Sequence, residues 1–444
     1  VESFLLVVLE RCAWSAMRRT MTTMDYTQPS PWVQAVSRAD PLRVPSLARE
    51  LTHKYMIWDG YVAGARRVDV HPLILPSPLH EVARRAAEDV TRAVRRVAER
   101  AFVDAEERRR YGLHPDIERL AAASHTAKDD ASLVRVDLLL GEDGDVHACE
   151  INADCPGGHN EALALPRLAR AAGFMAGMNP TIVVEALASR LEELADGGRV
   201  ALVFATAYAE DLQVCALLRR ELARRGVRAV LAPPTAPTRV GSEVRVDRAP
   251  VRVLYRYFPT EYMQGQKNLP GLAEAIERGE LRTLTSFAHM YEQSKYAFAR
   301  AWHAAARETV SDDDARAIRR HVPPTFDLRE VEGCDLARRE EWVVKRAYGR
   351  VGDEVFVGPL VQAGAWGPLV DSVRRRCDAG ESWIAQRFVR QRTVSSPWGQ
   401  RYVTLGAYVL GGSFVGYFAR LTPESHVSHH ALCVPVFHLG RTGT

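Results

Sequence analysis

A chain of 444 residues, 47% hydrophobic and 26% charged, is long enough to bury a large core and to divide into two or three domains. Its net charge of +4 is small for that length, and its arginines are scattered among acids along helix-like segments, which argues against the concentrated basic stripe of a nucleic-acid binder. Seven widely spaced cysteines with no CxxC pair argue against a disulfide framework or a zinc site and point to a reduced, cytoplasmic protein.

The apolar run 4–9 is too short to span a bilayer, and Glu2 is wrong for the start of a secretory signal, so no membrane association is expected. The first residue is Val, and Met17, Met21 and Met24 are alternative starts; residues 1–24 are expected to be disordered or mis-started. A proline-punctuated entry leads into helical spacing over 79–110, giving a helical N-terminal region at 25–125. Strands are expected at 132–140 and 146–153, then helices over 161–194 broken at Pro166 and Pro180, and this segment, 126–195, is expected to form a hairpin-and-helix unit. A strand at 199–206, a helix at 211–225 and strands at 227–231 and 251–257 make a βαβ domain with a parallel sheet at 196–288. A helix over 289–307 and strands at 341–346, 353–357 and 383–389 fill 289–395. A hairpin of strands 402–410 and 413–421, turned by Gly411-Gly412, closes the chain within 396–444.

The most informative stretch is the hairpin Ser-Leu-Val-Arg-Val-Asp-Leu-Leu-Leu (132–140), a turn, and Val-His-Ala-Cys-Glu-Ile-Asn-Ala-Asp (146–154). Asp143-Gly144 favours a two-residue loop, with Glu142 facing Asp145. Counting back puts Asp137 opposite Glu150 and Arg135 opposite Asn152, all on one face, with Val136, Leu138, Cys149 and Ile151 on the core face. Carboxylates set opposite each other repel. Two readings are open: a Mg²⁺ site built from the hard oxygens of Asp137, Glu150 and Asn152, or a solvated face with Arg135 neutralising a carboxylate.

Only five lysines occur (Lys54, Lys128, Lys267, Lys295 and Lys345), so a lysine kept at a motif position carries some information. Lys345 ends an apolar strand just before Gly349-Arg350-Val351-Gly352, which suits phosphate; taken alone, a surface lysine beside a hairpin turn is the plainer reading. Lys295 by itself reads as an exposed helix lysine. His426, His429 and His430 lack the carboxylates and spacing of a metal site, and Cys155 has no positioned base.

Together these pieces resemble the synthetase part of the glutathionylspermidine synthase family and its circularly permuted ATP-grasp relatives. The matching motifs are Arg135-x-Asp137, Glu150 to Pro156, Lys295, Lys345 to Gly352, Ile384 to Gln386, Gly416 to Arg420 and Val434-Pro435, with Glu210-Asp211 and Tyr255 to Pro259 between them. The metal hairpin precedes the lysines, the order of the permuted family. The resemblance implies an α+β, circularly permuted ATP-grasp fold with a βαβ pre-ATP-grasp domain. It implies Mg²⁺ on Asp137, Glu150 and Asn152, and ATP on Lys295, Lys345, Gly349, Arg350, Gly352 and Gln386. Arg135 would face the acyl phosphate and Arg420 the substrate or phosphate. The implied activity is an ATP- and Mg²⁺-dependent ligase joining a small-molecule or peptide carboxylate to an amine. A non-catalytic nucleotide-binding protein and an ATP-dependent kinase are the alternatives. The residues Cys155-Pro156-Gly157-Gly158-His159 depart from the family's pattern, so the sequence names neither acid nor amine, and it is silent on oligomeric state.

Overall fold

Two antiparallel hairpins drawn from distant parts of the sequence pair edge to edge and make the central sheet. Its order is Leu432–Val434, Ser413–Thr422, Gly399–Leu410, Leu133–Leu140 and Val146–Asn152, with Thr393–Ser396 added along Gly399–Leu410. This is a computed structural model, describing residues 45–62, 64–350, 354–427 and 431–440. The segment 1–24, Gly352, His429 and His430 lie outside the described residues. One face of the sheet is covered by the helix Ser77–Ala98, whose inward side is small: Ala83, Ala86, Ala87, Val90, Ala93 and Val94 are fully buried. Such side chains let the helix approach closely, at little entropic cost per residue. His159–Ala171 and Val183–Ala195 cover part of the opposite face; the rest of it, where Glu150 and Asn152 stay partly exposed, carries the site.

The first hairpin reaches the expected pairing by an unexpected route. Its loop is longer than two residues: Gly141 N–H donates to the Asp145 carbonyl at 2.9 Å, and Gly144 takes a positive φ of 84°. The strands therefore pair Leu140 with Val146 and Leu138 with Ala148, one residue off the sequence-based count. A bulge then skips Cys149, which leaves the core face expected of it, and restores Asp137 opposite Glu150 and Arg135 opposite Asn152.

The second sheet is parallel, in the order Arg282–Leu284, Val253–Tyr257, Val200–Phe204, Ala229–Ala232. Val200–Phe204 is buried throughout, which is why it reads as an unbroken apolar run. The expected strand 251–257 is divided, because Ala249–Val251 belongs to a small antiparallel meander with Thr238–Val240 and Glu243–Val246. A third, antiparallel sheet carries Lys345, in the order Thr325–Asp327, Trp383–Arg387, Trp342–Arg346, Val355–Val357, over its own core of Leu336, Trp342, Trp366 and Trp383.

Two helix expectations need correction. Pro166 does not break its helix; it lies inside His159–Ala171. The helix expected at 289–307 is interrupted instead, as Met290–Gln293 and then Tyr296–Ala306, with Ser294 extended between them. Among the described residues no helix is long and apolar enough to cross a membrane.

Candidate active site

The open face of the central sheet is lined by alternate residues of four strands. Asn152 and Glu150 stand beside Arg135 and Asp137, then Tyr408, Gly406 and Thr404, then Phe418 and Arg420. Asp137 is its buried centre. Arg135 grips it with two hydrogen bonds of 2.7 and 2.9 Å, Arg420 adds one of 2.5 Å, and the Asn152 amide adds one of 3.3 Å. Burial alone would raise this carboxyl's pKa; the two guanidinium groups outweigh it and hold the group well below the usual carboxylate range.

Glu150 is held more loosely. Its carboxylate lies 3.3 Å from Lys295 Nζ, and its side chain keeps 26% of its surface exposed. Lys295 is not an exposed helix lysine: it sits at the break before Tyr296–Ala306, buried, and Nζ also donates to the Gly349 carbonyl at 2.6 Å. Lys345 is buried too, donating to the Cys149 carbonyl at 3.0 Å and to Gln386 Oε1 at 2.7 Å. Burial, with Lys295 nearby, lowers its ammonium pKa. Gln386 is oriented by donating to Thr325 Oγ1 at 3.0 Å.

Lysines from two later segments thus converge on the first hairpin. The bulge contributes directly, because the carbonyl of Cys149 is what Lys345 binds. Arg135 and Arg420 pair with Asp137, Lys295 pairs with Glu150, and Lys345 lies within electrostatic reach of both, so the repulsion foreseen between the two carboxylates is offset by cations of the protein itself. Four cations against two carboxylates leave a surplus of positive charge that suits an anionic ligand. An ammonium has three N–H donors, and each lysine spends two on the protein, leaving one for that ligand.

A second buried cluster lies beside the first, and of its members the sequence reading gave a role, ATP binding, to Arg350 alone. Asp154 accepts from Arg256 at 2.5 Å, from Arg350 at 2.7 Å and from Thr260 N–H and Oγ at 2.9 and 2.7 Å. Burial would raise its pKa, but Arg256 and Arg350 hold it at about 2. Arg350 also binds Glu261 in two bonds of 2.5 and 2.7 Å, so the glycine-rich turn is tied down by carboxylates. Asp154 and Arg256 lay within quoted motifs, and Glu261 lay outside them.

The Gly157-Gly158 pair is explained by packing. The Gly157 carbonyl accepts from Arg135 at 2.9 Å and Tyr408 OH at 2.5 Å. Gly158 takes a φ of 95°, and a Cβ there would stand 2.7 Å from the Phe418 ring. His159 follows, its imidazole pKa lowered to about 3 by burial, with Arg135 adding to the effect.

Among the described residues no group of three His, Cys, Asp or Glu is placed to hold a metal. The donors facing the cup are hard oxygens, Glu150 is partly free, and turning the Asn152 amide would present a third, a set that fits Mg²⁺ sharing its shell with water and phosphate.

Together these elements define a mixed helix-and-sheet protein with a cationic cup on an antiparallel sheet. Residues 78–437 match the family model described as glutathionylspermidine synthase preATP-grasp, and the chain belongs to that family. Among solved structures, a glutathione synthetase-like effector from Globodera pallida, in its apo form, is similar at 11% identity. It covers 90% of this chain and 98% of its own with a TM-score of 0.55, a likeness of fold. A putative γ-glutamylcysteine synthetase from Methylobacillus flagellatus KT, at 14% identity over 74% of this chain and 84% of its own, reaches a TM-score of only 0.38, too distant to carry an argument. No curated protein matches the chain.

Proposed function

We propose that the chain is an ATP- and Mg²⁺-dependent carboxylate–amine ligase on a circularly permuted ATP-grasp core. The observation that carries this reading is the convergence of Lys295 and Lys345 on the Asp137–Glu150 hairpin, with positive charge to spare. Family membership supports it, as does the order in which hairpin and lysines follow along the chain. Lys295 and Lys345 would each offer a remaining N–H to the phosphates of ATP. The turn at Gly349 and Arg350 lies over them, and Gln386 fixes the direction of Lys345. Asp137, Glu150 and Asn152 would hold Mg²⁺, which supplies charge neutralisation between phosphate oxygens. Arg135, locked by Asp137 and the Gly157 carbonyl, faces the charge that develops as the substrate carboxylate takes the γ-phosphoryl group. An amine then displaces phosphate and forms the amide. The residues contribute positioning and preorganised charge.

The test is ADP release with a panel of amino acids and polyamines, followed by mass spectrometry of the product. Hydroxylamine trapping separates a ligase from a kinase, because an acyl phosphate yields a hydroxamate. Glu150→Gln is expected to reduce turnover about 10²-fold or more with an unchanged circular dichroism spectrum. Near-normal turnover in that variant would disprove the site.

A further inference from the structure

The four parallel strands share a feature at the edge where they begin. Arg199, Arg228 and Arg252 immediately precede Val200, Ala229 and Val253, residues that pair across the sheet in one register, and Arg282 opens the fourth strand. Backbone bonds fix the row: Arg252 N–H donates to the Arg199 carbonyl at 2.8 Å, and Val200 N–H to the Arg228 carbonyl at 2.9 Å. Arg282 is compensated by Asp129, 3.4 Å away. The other three stand abreast on neighbouring strands, about 4.8 Å from one to the next.

Arg199, Arg228 and Arg252 line a groove of about 260 Å³ whose wall includes Gly198, Glu243 and Glu280. Both acids are already engaged, Glu243 by Arg245 at 2.8 Å and Glu280 by Arg239 at 2.7 Å. Among the described residues none of the three arginines forms an ion pair; Arg228 touches only the Gly197 carbonyl at 3.4 Å. An arginine-rich composition does not account for this. On the helix Ser77–Ala98, Arg84, Arg92, Arg95 and Arg96 each have a carboxylate partner. Gly198 adds fixity, since a Cβ there would lie 2.7 Å from Arg252 Cβ, so its backbone lies against the stem of that arginine.

Like charges side by side on adjacent strands repel, and a groove lined by three of them stores unfavourable energy that a multivalent anion removes. Planar guanidinium groups suit phosphate and carboxylate, which they bind through paired hydrogen bonds. The row also lies at the amino ends of its strands, whereas Arg256, which touches the Asp154 cluster, lies toward the carboxyl end of Val253–Tyr257. We propose that this row is a second, anion-binding site, separate from the cup on the central sheet. Its ligand is a small molecule carrying two or more phosphate or carboxylate groups roughly 5 Å apart, one strand spacing. The proposal does not rest on the ligase reading.

The test is calorimetric titration of the full chain at low salt with inorganic pyrophosphate and, separately, citrate. Three variants accompany the parent: Arg199→Gln/Arg252→Gln, Arg228→Gln, and Lys295→Gln as the control for the catalytic cup. At least one of the two anions is expected to bind, to bind still in Lys295→Gln, and to bind about tenfold or more weakly in the double variant. Arg228→Gln, at an exposed position, should weaken binding several-fold and decides the matter if the double variant does not fold. Preference for pyrophosphate assigns a phosphorylated ligand, and equal or better binding of citrate a polycarboxylate. Absence of binding by either anion up to about 1 mM, or binding that Lys295→Gln abolishes and the arginine variants leave intact, would overturn the site.

Discussion

At position 406 the open face of the central sheet carries only a hydrogen, and the stem of Arg135 lies across it. A Cβ there would stand 2.7 Å from Arg135 Cδ and 2.9 Å from the Phe418 carbonyl oxygen. The carbonyl belongs to a sheet ladder and cannot yield, so the arginine must move. Gly406→Ala therefore acts on Arg135 without altering any charged residue. It is expected to lower ADP release about tenfold or more, because the guanidinium loses its paired hold on Asp137. The overpacking should also cost about 1–3 kcal/mol in urea unfolding. Arg135→Lys is the companion variant. With Gly406 in place it keeps the charge and introduces no crowding, but it cannot bind Asp137 in two places, so activity should fall while stability changes less. Full activity in Gly406→Ala would show that the position of Arg135 is unimportant.

The glycine-rich turn after Lys345 is fixed from two sides. Lys295 takes the Gly349 carbonyl through its side chain and the Ala347 carbonyl through its backbone N–H, while Arg350 reaches across to Glu261 and Asp154. Glu261→Gln removes one charged anchor and leaves the other. The expected result is a several-fold rise in KM for ATP with a smaller change in kcat, and faster amide exchange over residues 346–350. Unchanged exchange would mean that Asp154 alone holds the turn. How much of this was legible in the sequence depended on whether the signal was local. The hairpin pairing came out as expected because two one-residue departures cancel, a longer loop and a bulge at Cys149, and neither leaves a mark in an alternation pattern. The break before Lys295 was hidden because the flanking residues keep helical apolar spacing through Ser294, whose extended conformation accompanies a long-range bond from the Lys295 N–H to the Ala347 carbonyl. The helix Pro115–Thr126 fell within the expected helical region but was not set apart, although its start was readable: it has Pro at its first position, Asp116 and Glu118 in its first turn, and the His114 side chain as cap. Ala363–Asp378 was obscured by Gly364, Gly367 and Pro368 within it. Site residues within motifs were visible, whereas Glu261 and Gly406 act through long-range contacts that no short window contains.

At the scale of the whole molecule, the central sheet joins Leu133 to Leu410, so much of the remaining chain must fold between two strands that pair directly. Buried polar groups inside such an assembly set its response to pH. Burial lowers the His80 pKa to about 4, with His438 stacked on it at 4.0 Å adding to the effect, and lowers that of His159 to about 3. In the unfolded chain histidine titrates near 6.5. At these histidines, between roughly pH 6.5 and 4, the unfolded state therefore binds protons that the folded state refuses, which lowers stability as pH falls through that window. Asp137 and Asp154 act lower down. Their folded pKa values lie below the unfolded value of roughly 3.9, so the stability they contribute is present above that pH and is lost as pH falls toward their folded values. Both effects have the same sign, but Glu210 and Asp211 oppose the histidines: burial raises their carboxyl pKa to about 7 and about 6, so the stability they contribute is lost as pH rises through that range. Calorimetric Tm is expected to change little from about pH 6.5 to 4, where histidines and raised carboxyls oppose each other, and to drop steeply below. His80→Gln, which keeps a polar group beside Tyr417 but cannot take up the proton, should tip that balance toward the carboxyls, so that Tm rises as pH falls through the upper window, and leave the steep drop below unchanged. If His80→Gln left the pH dependence of Tm between about 6.5 and 4 unchanged, His80 would be protonated in the fold, and its packing would then have to be looser than this structure has it.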